Sequence, residues 1–210
     1  MCRLKPHQKL LSAAALPDGA ARWRQSGAAA ERLQERGYRW IGLDHFALPG
    51  DEMVEAAAKG RLRRNFQGYT TDGARTLLGF GASAIGALPE GYVQNAAEVR
   101  SWEASLQRGE LPIMRGIALG AEDRLRRHVI ERLMCDLEVD LGQAAEQYGE
   151  GSSCFAAERI ALADLAGEGL VEIANDRIRL TDLGRPLMRV VAAVFDRYLE
   201  PLAGRHASAV

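Results

Sequence analysis

Cysteine is scarce in these 210 residues, and the three present, Cys2, Cys135 and Cys154, are scattered. An odd, unclustered set provides no disulfide framework and fits a reducing, cytoplasmic setting. No C-x-x-C pair occurs, and His7, His45, His128 and His206 lie far apart in sequence. No zinc or iron–sulfur ligand set is therefore expected. Excess charge of one sign is also missing: 27 basic residues face 28 acidic ones, for a formal net charge of −1. That excludes a uniformly basic nucleic-acid-coating protein and an acidic tail protein. No apolar run approaches the ~18 residues a membrane-spanning helix needs. The first residues, MCRLKPHQKLL, lack the apolar core of a secretory signal, so secretion is not expected. Internal repeats and low-complexity tracts are absent as well.

What is present suits a folded chain. Hydrophobic residues make up 47% and charged residues 26%, which is ordinary for a globular protein. At this length roughly 70% of the unfolded surface is buried on folding, enough for a real core. The 34 alanines favour helix. Arginine outnumbers lysine 24 to 3.

Residues 18–36 suit a helix closed by Gly37. Residues 38–43, aromatic and β-branched, read as a strand, and 44–50 as the loop leaving it. Asp51 can cap a short helix that Gly60 ends. Residues 61–76 show no clear period and read as an ordered loop, a common carrier of function. A second short strand is expected at 77–80, running into the small residues of 79–86. Asn95 is expected to cap a helix reaching about Arg108. A further helix over about 121–137 places Leu125, Val129, Leu133 and Leu137 on one stripe. In the tail, 155–166 reads as helix. Residues 169–174 and 177–180 read as strands about an Asn175-Asp176 turn, with a last helix capped by Thr181 or Asp182. Helix, hairpin, helix is a winged-helix outline, and a change of organisation is expected near 149–153.

Several segments could carry chemistry. Gly79-Phe80-Gly81 with Gly86 is a weak dinucleotide signal, because the spacing is not G-x-G-x-x-G. Close backbone packing, or room for a flat ligand at a strand end, are the other readings. Asp44-His45 follows a strand end, where Asp can orient the ring; a hydrogen-bonded loop pair is the plainer reading. The basic run Arg61-Leu62-Arg63-Arg64 could hold carboxylates or phosphates, or be a solvated helix end. The segment 65–71 gathers amide, phenol and hydroxyl groups able to bond a polar ligand.

These strings resemble a known family. IGLDHFALPGDEMVEAAAKGRLRRNFQGYTT (41–71), LLGFGASAIG (77–86), YVQN (92–95), LPIMRGIAL (111–119) and EDRLRRHVIERLMCDLEVD (122–140) are similar to the oxygen-independent coproporphyrinogen III oxidases. The resemblance runs from about Leu4 to Tyr198, and DHFA together with RNFQGYTT is its most specific part. It implies a radical S-adenosylmethionine enzyme of haem biosynthesis, which oxidatively decarboxylates two propionates of coproporphyrinogen III to give protoporphyrinogen IX. It implies an α/β, helix-rich fold: the last βα units of a partial (β/α) barrel and a connecting segment over 1–119, then a mainly helical, winged-helix-like C-terminal domain over 120–210. It also implies that Phe66, Gln67 and Ile85 contact S-adenosylmethionine. Arg64, His45 and Tyr69 lie in matching strings without an assigned role. The family's four-iron–four-sulfur cluster motif has no counterpart here. The chain is therefore expected to be a C-terminal portion, with the cluster and a missing N-terminal half belonging to the complete enzyme. In that portion the 38–43 strand is expected to present an unpaired edge.

Two other classes stand beside this one: a winged-helix binding or regulatory module, and an inactive remnant. DNA is not the expected partner. Residues 151–210 hold seven arginines, no lysine and eight acids, and offer no basic face for phosphates.

Overall fold

A computed structural model describes residues 16–199. Cys2, His7, His206 and the segment around Leu4 lie outside the described residues.

Helix α1 (Gly19–Glu35) begins where the Asp18 side chain accepts from the Ala21 N–H, and ends before Gly37 at φ +86°. The left-handed conformation at Gly37 is one that side chains with a Cβ avoid. Strand β1 (Arg39–Ile41) follows and pairs antiparallel with β2 (His45–Ala47). The segment expected as a loop after the first strand is thus the returning arm of a tight hairpin. β1 and β2 form a two-stranded sheet, so β1 has one edge with no strand partner among the described residues, as expected; the Arg185 side chain donates to the carbonyl oxygens of Trp40 and Gly42. Helix α2 (Glu52–Ala58) is capped by Asp51 through the Met53 N–H at 2.8 Å.

The expected loop over 61–76 contains a second small hairpin, β3 (Arg63–Asn65) with β4 (Gly68–Thr70). Neither strand alternates apolar and polar residues, so no periodicity marked them. Next comes a three-stranded antiparallel sheet of β5 (Ile85–Leu88), β6 (Gly91–Asn95) and β7 (Ile113–Ala118), in the order β5-β6-β7. Residues 77–80 make only an isolated bridge, Leu77 with Ala87. Asn95 ends β6 instead of capping a helix, and α3 (Val99–Gln107) starts four residues later.

Helix α4 (Ala121–Asp136) is the spine. Leu125, Val129 and Leu133 on its expected stripe are fully buried, and Leu137 ends the helix in the left-handed region at φ 64°. Beyond it lie β8 (Glu138–Asp140), α5 (Leu141–Gln147), α6 (Ala156–Gly167), β9 (Val171–Ala174), β10 (Arg177–Leu180) and α7 (Met188–Ala193). The expected hairpin turns at Asn175, φ 56°, and β10 sits between β8 and β9. The last helix begins only at Met188, behind Leu187, so neither Thr181 nor Asp182 caps it; Thr181 instead accepts from the Gly184 N–H at 3.0 Å in the turn before it.

Two buried clusters result. The larger joins α4, β8, α5, α6, β9, β10 and α7, with Phe155 and Phe195 edge to face at 5.6 Å. It runs straight through 149–153, so no break in packing occurs there: Leu141, Ala144 and Ala145 share one core with Phe155 and Leu162. The smaller cluster holds Ile41, Ala56, Leu62, Tyr69 and Cys135. Helix α4 serves both, presenting Leu125, Val129 and Leu133 to the larger cluster and Cys135 to the smaller. Every strand pair among the described residues is antiparallel.

Candidate functional site

The turn between β3 and β4 presents Phe66 and Gln67. Asn65 shapes it by accepting from the Gln67 N–H at 2.8 Å, and Gly68 occupies φ +140°. The hairpin is held from beneath by α4. Arg132 donates to the Leu62 carbonyl at 3.0 Å, and the Arg64 N–H reaches Glu131 at 3.4 Å. Tyr69 completes the anchor: its buried hydroxyl donates to the Met134 carbonyl at 2.8 Å and accepts from the Leu43 N–H at 3.0 Å. Burial raises the Tyr69 pKa, so the phenol stays protonated. The His45 ring packs on its edge at 5.0 Å, with Nδ1 2.8 Å from Asp44 Oδ1. Asp44 and His45 thus form a hydrogen-bonded pair beside the phenol ring.

Phe66 is half exposed and meets the Tyr92 ring edge-on at 5.2 Å. Tyr92 belongs to β6, so the turn touches the β5–β6–β7 sheet. Gln67 is exposed, and its side-chain amide makes no hydrogen bond among the described residues. Ile85 opens β5 and is partly buried. The small residues before it have a packing reason: a Cβ on Gly79 would lie 2.7 Å from the Ile85 carbonyl oxygen. Asn95 donates to the Gly81 carbonyl at 2.9 Å and Gln94 to that of Ser83 at 3.0 Å, which fixes the loop leading to Ile85. The contacts support the close-packing reading for Gly79 and Gly86, whereas Gly81 has open space around it and sits at φ +98°.

A cavity of about 510 Å³ opens beside Phe66, between the β3–β4 hairpin, the segment after β4, α4 and residues 195–198. Its size suits a small-molecule ligand. Phe66 lines it; Gln67 and Ile85 do not. Six arginines line it, at 63, 64, 75, 126, 127 and 197, against four carboxylates. The motif reading flagged Arg63 and Arg64 but missed the other four. They come from a loop, from α4 and from the segment after α7, and no local signal joins them.

No group of three or more His, Cys, Asp or Glu able to hold a metal occurs among the described residues. Cys135 is buried, and desolvation pushes its thiol up to about 12; Cys154 is exposed.

Residues 119–187 match the family described as HemN C-terminal domain. Over nearly its whole length the chain is similar to oxygen-independent coproporphyrinogen III oxidases, and it corresponds to their C-terminal portion. The relative from Bradyrhizobium diazoefficiens is 45% identical over 206 residues, covering 98% of this chain and 46% of that protein. The one from Thermostichus vulcanus is 41% identical over 204 residues, covering 96% and 63%. Among solved structures, the coproporphyrinogen III oxidase of Escherichia coli, described as a radical SAM enzyme, superposes with a TM-score of 0.87 at 37% identity. That match covers 91% of this chain and 44% of the other. The chain thus spans about half the length of most of the curated relatives it matches.

Proposed function

We propose that this chain supplies the C-terminal portion of an oxygen-independent coproporphyrinogen III oxidase. In the complete enzyme residues 1–119 would join a partial (β/α) radical-SAM barrel, and 120–210 would form its winged-helix-like domain. The observation that carries this reading is the superposition on the E. coli enzyme, with a TM-score of 0.87 at 37% identity. The winged-helix description draws support from the sheet order β8-β10-β9, with α4 and α5 flanking β8 and α6 preceding the hairpin. A cytoplasmic setting belongs to the same proposal, supported by two free cysteines among the described residues.

S-adenosylmethionine would be contacted by Phe66, Gln67 and Ile85. The residues fit such a ligand. Phe66 offers a half-exposed ring, and the Gln67 amide, free to donate and accept, suits polar ligand atoms. Ile85 offers an apolar surface fixed by its loop. The anchored hairpin holds Phe66 and Gln67 in place before a ligand arrives, which reduces the ordering cost of binding.

The iron–sulfur cluster does not fit the residues described here, since one buried high-pKa thiol and one lone exposed thiol cannot hold it. Its ligands would belong to the remainder of the complete enzyme. The reaction proposed for that enzyme is oxidative decarboxylation of coproporphyrinogen III to protoporphyrinogen IX in haem biosynthesis.

Co-expression with the N-terminal half of the Bradyrhizobium relative tests the reading. The two parts should associate, and coproporphyrinogen should be consumed only when both are present. A two-part mixture that neither associates nor turns over substrate contradicts the proposal.

A further inference from the structure

The arginines around the cavity divide into two groups. Arg63 lies 3.6 Å from Glu131, Arg126 bridges Glu122 and Glu158, and Arg197 bonds Glu122 at 2.6 Å. Those three are committed to the fold. Arg64, Arg75 and Arg127 have no carboxylate within ion-pair distance among the described residues. Arg64 lies over the Tyr69 ring at 5.6 Å, and its Nε is buried without a hydrogen-bond partner. Arg127 lies over Tyr92 at 5.2 Å, one ring away from Phe66. Arg75 follows an ordered turn in which Asp72 accepts from the Ala74 N–H at 2.8 Å.

The cavity's carboxylates are largely occupied. Asp123 accepts from the Gly120 N–H and the Tyr198 hydroxyl, Asp196 from the Tyr198 N–H, and Glu131 serves Arg63 and the Arg64 N–H. Three uncommitted guanidiniums therefore face one concave space. With six arginines against four carboxylates the lining carries net positive charge, which favours an anion, and the planar fork of arginine matches a carboxylate.

We infer that Arg64, Arg75 and Arg127 form a carboxylate-binding site in this cavity, for a ligand carrying several carboxylates. Resting on the function proposed above, that ligand is coproporphyrinogen III, held through its propionates. The Phe66–Tyr92–Arg127 contacts put the bound carboxylate beside the proposed S-adenosylmethionine contact. Arg64, Arg75 and Arg127 would then set specificity by counting propionates.

Coproporphyrin III, the stable oxidised form with the same four propionates, is the probe. It is titrated into the whole chain and followed by porphyrin fluorescence, with mesoporphyrin, which has two propionates, as the comparison. Coproporphyrin should bind more tightly than mesoporphyrin and weaken as salt rises. Arg75→Gln and Arg127→Gln should each weaken it by about tenfold, the loss expected for one charge-assisted contact. Arg75→Lys should retain part of the affinity. Arg24→Gln, on the exposed face of α1, should change nothing. Both tested arginines are solvent-exposed, so the variants should fold, and circular dichroism checks this. Equal binding by wild type and both glutamine variants overturns the site, as does no binding by the folded wild-type chain. Displacement of coproporphyrin by an equal concentration of inorganic phosphate overturns its assignment to carboxylates. None of these results bears on turnover by the two-part assembly, which separately decides the underlying function.

Discussion

The Tyr69 hydroxyl donates to the main-chain carbonyl of Met134 across 65 residues of sequence, at 2.8 Å. That bond ties the hairpin carrying Phe66 and Gln67 to the last turn of α4. The same oxygen accepts from the Leu43 N–H, so one phenol joins both hairpins to the spine. Gly42 leaves room for it: a Cβ there would lie 2.0 Å from the Tyr69 ring.

Tyr69→Phe keeps the ring and removes both bonds. A buried carbonyl and a partly buried N–H lose their partner, which should cost about 1–3 kcal/mol. Denaturant unfolding measures it. A change within a few tenths of a kcal/mol would mean the anchor contributes little.

Alkaline pH should weaken the fold through Cys135. Burial raises its thiol from 9.0 to about 12, so the native state keeps a proton that the unfolded chain gives up. The stabilisation is complete below pH 9 and is lost as pH rises from 9 towards 12. Stability followed across that range should fall more steeply in wild type than in Cys135→Ala, which will be less stable at neutral pH because it leaves a small void. Parallel curves would contradict the buried-thiol account.

Arg185 ties the C-terminal core to the first hairpin. It donates to the carbonyls of Trp40 and Gly42 and stacks on the Trp40 ring at 4.6 Å. Arg185→Ala should cost about 2–3 kcal/mol through lost charged hydrogen bonds and cation–π contact. It should also speed hydrogen exchange in β1. Arg185→Lys should recover only part, because an ammonium lacks the planar fork. Unchanged exchange in residues 39–41 would contradict the tie.

The elements that could be read from sequence are those with local signals. Asp18 and Gly37 bound α1, Asp51 bounds α2, and Leu125, Val129 and Leu133 mark the buried face of α4. The Asn175-Asp176 turn marks its hairpin. The β3–β4 hairpin escaped because its strands are only three residues each and do not alternate apolar and polar residues, and contacts with α4 hold it. The β5–β6–β7 sheet escaped because glycines interrupt it. They are needed there for close backbones: a Cβ on Gly91 would lie 2.1 Å from the Ile117 carbonyl oxygen, and one on Gly116 2.8 Å from that of Tyr92. Of the cavity only Arg63 and Arg64 could be read from a local run, since its arginines come from positions 63 to 197 and meet only in the folded chain. The candidate S-adenosylmethionine contacts came from motif resemblance; the fold places Phe66 and Gln67 on one turn and Ile85 at the start of a neighbouring sheet.

Ile85 discriminates between cofactor contact and simple packing. In an assembled, cluster-loaded enzyme, Ile85→Val removes one methylene and should cost about 1 kcal/mol in stability, with little effect on cleavage of S-adenosylmethionine. Ile85→Asp should abolish cleavage by placing a charge against the adenosyl surface. Equal cleavage by the two variants would assign Ile85 to packing alone.

Cleavage of S-adenosylmethionine by the assembled enzyme carrying Gln67→Ala tests the central claim most directly. The Gln67 side chain bonds nothing among the described residues, so its loss should leave the melting temperature unchanged. Cleavage should fall by the equivalent of about 1–3 kcal/mol, the loss expected for one hydrogen bond to the ligand. Full cleavage and full porphyrinogen turnover in Gln67→Ala would contradict the account.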